Sequence, residues 1–182
     1  MPNPTFDLSL LPPAQVQFAV VSDTHYTLHP GDAPVEFASR CHQTRRAAAA
    51  LQLAASLDID FAVHLGDLVQ EYPDTPDFSR AIDEALSQLR ASGLQPRYVA
   101  GNHDVGDRPN AATISEYNRD FGDDYFSFWV RGVKCICVNS QLWKDDSEAA
   151  ALRAEHGRWL RAELASPETA KAQHILVFSH IP

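Results

Sequence analysis

The chain predicts an α/β fold, a layered β-sandwich with flanking helices, and three observations carry that expectation. Short apolar runs alternate with helix-period stretches, an X-Gly pair joins two strand-like runs into a hairpin, and four small polar blocks each sit where an apolar run ends.

The elements follow in order. Residues 1–15 read as a Pro-containing lead-in with neither the basic start nor the long apolar stretch of a signal peptide, and residues 16–182 read as one domain. Val16 to Val21 is apolar except for Gln17, and Ile59 to Leu65 is apolar except for Asp60 and His64; both suit strands covered on two faces. Arg40 to Leu57, with its Ala-rich stripe, and Phe78 to Ala91 read as helices separated by a strand, as βαβ units require. Tyr98-Val99-Ala100 is a shorter strand. Tyr125 to Val130 and Val133 to Asn139 flank Arg131-Gly132, a two-residue link that predicts a β-hairpin and so an antiparallel addition. Glu148 to Leu164 predicts a third helix, and the continuous run Ile175 to Phe178 a last strand.

Composition narrows the function classes. With 182 residues, 45% of them hydrophobic and 21% charged, the chain can build a core. A net charge of -9 without Lys/Arg runs argues against sequence-independent binding to nucleic acid or to an acidic membrane, and no segment approaches a membrane span. Of the three cysteines, Cys135 and Cys137 share one strand face and are poorly placed to bond each other, which favours reduced thiols and a cytoplasmic location.

The four blocks are Asp23-Thr24-His25, Gly66-Asp67, Gly101-Asn102-His103-Asp104 and Ser179-His180. Open α/β sheets collect ligands beyond the carboxyl ends of their strands, where all four fall. Their Asp, His and Asn side chains are oxygen and nitrogen donors for divalent or trivalent transition metals such as Fe, Mn or Zn. Asp23 and His25, two apart, can reach one ion from a turn. Asp67 has two carboxylate oxygens and is the natural bridge between two ions, while Asn102 and His180 offer an amide oxygen and an imidazole nitrogen. Two ions sharing a carboxylate at about 3.5–4 Å would generate a bridging hydroxide and clamp a phosphate for in-line displacement. His103 then suits a proton donor to the leaving group, with the neighbouring Asp104 carboxylate expected to fix its tautomer.

Other polar residues have plainer readings. His64 is expected to be a hydrogen-bonded core histidine, and His29, His42, His156 and His174 to be surface or structural, since none has a partner at ligand spacing. Arg108 lies close enough after the third block to touch a substrate phosphate. Asn139 ends a strand with Ser140 and Gln141 on the same rim, to contact substrate or to satisfy backbone groups in the turn. Trp129, Trp143 and Trp159 share no period and read as packing aromatics.

Asp-x-His, Gly-Asp, Gly-Asn-His-Asp and a later lone His, in that order at strand ends, resemble the calcineurin-like metallophosphoesterase family. The segments Phe121 to Val130, Val138 to Leu142 and Val177 to Pro182 are similar to a branch of it described as serine/threonine protein phosphatases. The resemblance implies a dinuclear hydrolase with Asp23 and His25 on the first metal, Asp67 on both, Asn102 and His180 on the second, and His103 in catalysis. The implied substrate is a phosphoprotein or a small phosphoester, with no nucleic acid or membrane partner. The chain departs from the family pattern twice. Three residues after Asp67, where members usually carry a further acidic or amide residue, Gln70 puts an amide in place of a carboxylate near the site, and the block Gly-His-x-His does not occur before Pro182. The chain therefore reads as the N-terminal part of a longer fold, apparently truncated, with a catalytically incomplete metal- or phosphate-binding module as the alternative.

Overall fold

The computed structural model describes residues 16–29 and 42–182, so the lead-in up to residue 15 and Arg40 and Cys41, where the sequence predicts a helix to begin, lie outside the described residues. Strands β1 (Phe18–Val21), β2 (Phe61–His64) and β3 (Arg97–Tyr98) form a parallel sheet in that order. Val21 pairs with His64 and His64 with Tyr98, so all three strands leave the sheet at one edge. The ladder runs on past β1 and β2: Leu65 N donates to Val21 O (2.8 Å), Asp23 N to Gly66 O (3.1 Å), His25 N to Asp67 O (3.0 Å) and Tyr26 N to Leu68 O (2.8 Å). The first two polar blocks thus lie side by side as extensions of neighbouring strands.

Helices α1 (Gln43–Ser56) and α2 (Phe78–Ser92) cover one face of this sheet. On α2 the buried Phe78, Ile82, Ala85 and Leu89 recur at helical spacing, and Gly93, at φ +80°, ends the helix in the left-handed conformation that glycine adopts without steric cost. Together with Leu51 and Ala54 of α1 and Ala62 of β2 these side chains make one core.

The hairpin forms as the X-Gly pair predicts. Strand β4 (Phe126–Val130) runs antiparallel to β5 (Val133–Cys137), with Arg131 (φ +46°) and Gly132 (φ +85°) both left-handed in the turn. The sixth strand, β6 (His174–Phe178), pairs in parallel with β5. This second sheet packs on the first through Phe61, Val63 and Val99 on one side and Val133, Cys135, Cys137 and Phe178 on the other. The Phe61 ring meets Phe128 and Phe178 edge-on, at centroid distances of 5.2 and 6.2 Å. Two sheets face to face with helices outside are the layered sandwich read from the sequence.

Four helices fill the connections. The predicted helix at Glu148 to Leu164 forms over Ala150–Leu164, and three others are additions to the sequence reading: Asn102–Val105, Ala111–Phe121 and Gln141–Lys144. In chain order these are α3 (Asn102–Val105), α4 (Ala111–Phe121), α5 (Gln141–Lys144) and α6 (Ala150–Leu164). Two of the unforeseen helices are four residues long, too short to show a period. The third, α4, carries a capping box in which Asn110 Oδ1 accepts from Ala112 N and Thr113 N while Thr113 Oγ1 accepts from Asn110 N.

Candidate metal centre

The site is built where two backbone turns touch. A Cβ on Gly66 would fall 2.6 Å from Gly101 N, and one on Gly101 would fall 2.5 Å from Asp67 N and closer still to the Asp67 carboxylate. Only glycine at both positions lets the second block approach the third. Asp23 (φ +53°), His25 (φ +41°) and Asp67 (φ +54°) are all left-handed, which turns each side chain out of the strand direction and toward the rim.

Asp104 locks this junction. Its Oδ2 accepts from Gly101 N and Asp67 N, both at 2.8 Å, and its Oδ1 from Leu68 N at 3.2 Å. Burial pushes this carboxyl up to about 6, with the bond from Gly101 N–H opposing the rise. The expected role of Asp104, orienting the His103 imidazole, is therefore corrected: its oxygens are spent on main-chain donors. The acceptor that fixes His103 is the Gln70 carbonyl, 2.7 Å from Nδ1. A carbonyl only accepts, so Nδ1 carries the proton and Nε2 is left for chemistry. Gln70 thus acts on the site through its backbone oxygen.

His180 is held in the same manner. Its Nδ1 lies 2.7 Å from Leu65 O, and its Nε2 sits 3.5 Å from Asp67 Oδ1. On the other side, His25 Nε2 lies 3.5 Å from Asp67 Oδ2 and 3.7 Å from Asp23 Oδ1. Asp67 is consequently the member common to two sets of potential metal ligands, His25 with Asp67 and His103, and Asp23 with Asp67 and His180. Within each set the ligand atoms lie within 4.8 Å of one another. The donors fit transition-metal ions: mixed carboxylate and imidazole ligands, with Nε2 of two histidines freed by carbonyl acceptors on Nδ1.

Asn102 stands beside these sets, its Nδ2 donating to Tyr72 Oη at 3.1 Å, which leaves its carbonyl oxygen as the free ligand atom. Tyr72 is a residue the sequence reading missed. Its ring lies 4.1 Å from that of His103 at 33°, while the His25 ring meets His103 edge-on at 4.7 Å. Its signal is a lone aromatic in a polar loop five residues after Asp67.

The two residues expected to touch substrate part company. Arg108 lines a cavity of about 450 Å³ together with Tyr72, Asp107, Asn110 and Glu148, on the Tyr72 side of His103. Asn139 is fully buried: Nδ2 donates to Asp124 Oδ2 (2.9 Å) and Oδ1 accepts from Gln141 N (3.1 Å). Its substrate role is corrected accordingly, because Oδ1 is used in the turn after β5 and Nδ2 ties that turn to Asp124 ahead of β4. His64 is the hydrogen-bonded core histidine expected of it, bonded to Thr24 and Gly66.

The chain is 40% identical over 126 residues to the serine/threonine-protein phosphatase CPPED1 of Danio rerio, and 42% identical over 124 residues to that of Bos taurus. Each match covers 67% of this chain and 40% of the relative, so the matched part spans well under half of those proteins. A crystal structure of a dimetal phosphatase from Danio rerio superposes with a TM-score of 0.63 at 16% identity, covering 92% of this chain and 70% of that one. Among the described residues no helix is long and apolar enough to cross a membrane. The sequence profile described as calcineurin-like phosphoesterase matches residues 16–182, and the chain belongs to that family.

Proposed function

We propose that the full-length protein is a metal-dependent phosphatase that hydrolyses phosphate esters, with serine/threonine phosphoproteins or small phosphomonoesters as substrates. The observation that carries this reading is Asp67, buried and shared between two ligand sets whose atoms are already gathered. The similar proteins named serine/threonine-protein phosphatases support the substrate class.

In this reading Asp23 and His25 would hold one ion and Asn102 and His180 the other, with Asp67 contributing to both; the sets gathered in the structure share Asp67 in the same way but group Asp23 with His180 and His25 with His103. Bound ions supply Lewis acidity toward phosphoryl oxygens and lower the pKa of water toward neutrality. The remaining work falls to the chain. His103 keeps its Nδ1–H on the Gln70 carbonyl and, once it has taken a second proton from solvent at Nε2, would pass that proton to the departing ester oxygen and return to the neutral ring. Tyr72 stacks on that ring and keeps Asn102 turned with its amide nitrogen away from the ions. Arg108, in the adjoining cavity, is placed to neutralise phosphate charge. A reducing cytoplasmic setting belongs to the same reading, supported by the free, buried thiols of Cys135 and Cys137.

The test combines metal content with turnover. Chelated full-length protein reloaded with Mn²⁺, Zn²⁺ or Fe²⁺ is expected to take up two ions per chain and to regain p-nitrophenyl phosphate hydrolysis. Uptake of metal without turnover would leave a binding module, and absence of uptake would overturn the reading.

A further inference from the structure

His64 ends strand β2, and its imidazole is fully buried two residues before Gly66 of the Gly-Asp turn. Both ring nitrogens are engaged. Nε2 lies 3.1 Å from Thr24 Oγ1, and Nδ1 lies 3.3 Å from Gly66 N. The Thr24 hydroxyl also lies 3.0 Å from the Leu68 carbonyl, which can only accept. The hydroxyl proton therefore goes to Leu68 O, the oxygen lone pair accepts from His64 Nε2–H, and the unprotonated Nδ1 accepts from the Gly66 N–H. These bonds fix the tautomer without further assumption, and a second proton on the ring would set Nδ1–H against the Gly66 N–H. Burial pulls the imidazole down to about 4, in keeping with the neutral form.

Thr24 stands between Asp23 and His25, and Gly66 precedes Asp67. One neutral ring thus ties together the two turns that supply three of the ligands, each of them in a left-handed conformation that local sterics disfavour. We propose that His64 and Thr24 act as a positioning pair, setting the separation and pitch of the Asp23–His25 and Gly66–Asp67 turns so that their side chains converge on the ions. The proposal rests on the dimetal reading above. It assigns to His64 no contact with metal or substrate. A merely space-filling histidine would leave both nitrogens replaceable by carbon, whereas a positioning one would not.

The experiment uses four variants of the full-length protein: His64→Leu, which keeps the bulk and removes both bonds, Thr24→Val, which keeps the shape and removes the hydroxyl, Thr24→Ser, which restores it, and the Leu/Val double variant. Mn²⁺ affinity is measured by titration, thermal unfolding by circular dichroism, and amide exchange at Gly66 and Asp67 in the metal-free state. His64→Leu and Thr24→Val are expected to unfold cooperatively and to bind Mn²⁺ on the order of 10- to 100-fold more weakly, the usual loss when support behind a ligand is removed. Thr24→Ser should stay within about threefold of wild type, and the double variant should be no worse than the weaker single one, because both act through one chain of bonds. If His64→Leu fails to fold, Thr24→Val and its serine rescue carry the comparison. Wild-type Mn²⁺ affinity in the folded valine and leucine variants would overturn the proposal while leaving the dimetal reading intact. If wild type itself binds no Mn²⁺, the dimetal reading fails, and the pairing of turns is judged by exchange alone. Faster exchange at Gly66 in the variants then supports it, and unchanged exchange refutes it.

Discussion

The main-chain N–H of His103 donates to Asp67 Oδ1 at 2.9 Å, so the carboxylate shared by both ligand sets is braced by the backbone of the residue proposed to supply the proton. Replacing Asp67 removes a ligand and this brace together in the alanine variant, but only the charge in the asparagine variant, whose amide oxygen can still accept. Both are expected to abolish phosphatase activity. Asp67→Asn should keep near-wild-type thermal stability and lose at least one ion, because two cations no longer share an anionic ligand between them. Metal analysis and calorimetry of the pair check this, and full metal with full rate in either variant would refute the bridge.

His103→Ala is expected to keep both ions and to lower turnover of alkyl phosphates by about 10²- to 10⁴-fold, the range for loss of a general acid. The deficit should shrink for p-nitrophenyl phosphate, whose leaving group needs little protonation. Loss of an ion would instead make His103 a ligand, as its place beside His25 and Asp67 permits. Asp104→Ala should behave differently, lowering thermal stability and metal affinity alike, since three main-chain donors lose one acceptor group.

Gly101→Ala tests the contact between blocks. The added methyl group would displace the Asp67 carboxylate and stand 2.5 Å from Asp67 N, a backbone atom that moves only with its turn, so the turns must separate. A stability loss of about 1–3 kcal/mol, typical of overpacking, should accompany loss of metal. A variant that folds with unchanged Tm and takes up two ions would show that the blocks can part without cost.

Acid sensitivity follows from His156. Its ring is stacked between Trp143 (4.6 Å, 11°) and Tyr125 (4.4 Å, 18°), and among the described residues neither ring nitrogen has a hydrogen-bond partner. Burial draws its pKa down to about 4 from an ordinary 6.5. Between those values the unfolded chain binds a proton that the folded one does not, so this contribution is fully present above pH 6.5 and is lost as pH falls toward 4. His156→Phe keeps the aromatic stack and removes the titration. Its free energy of unfolding, measured by denaturant titration, should fall less than that of wild type between pH 7 and 5, by a margin of at most about 1.4 kcal/mol per pH unit. Parallel declines in the two proteins would count against the assignment.

The six strands and the three longest helices were legible because each is an apolar or helix-period run bounded by polar residues, and Arg131-Gly132 announced its own turn. The ligand blocks were legible because Asp, His and Asn cluster where such runs stop. What sequence could not reveal is which atom each side chain meets. The neighbour relation of His103 and Asp104 suggested a pair, yet at the start of a short helix adjacent side chains diverge, and Asp104 folds back onto Gly101 N while His103 turns to Gln70 O. Asn139 looked available at a strand end, but the packing of Asp124 against it lies fifteen residues away in the chain and is set only by the hairpin. Tyr72 and the tautomer of His64 depend likewise on contacts across turns.

The left-handed backbone at Asp23, His25 and Asp67 has a consequence for how such a site survives mutation. Each position holds an L-residue where glycine would sit without steric penalty, at a cost of about 1 kcal/mol or more apiece. Drift that swaps any of them for glycine would relax the main chain and remove a proposed ligand in the same step. At the exposed Asp23 that relief is not opposed by a buried hydrogen bond, whereas at Asp67 the His103 N–H would lose its acceptor, so the strain at Asp23 is the one most easily relaxed at the expense of a proposed ligand.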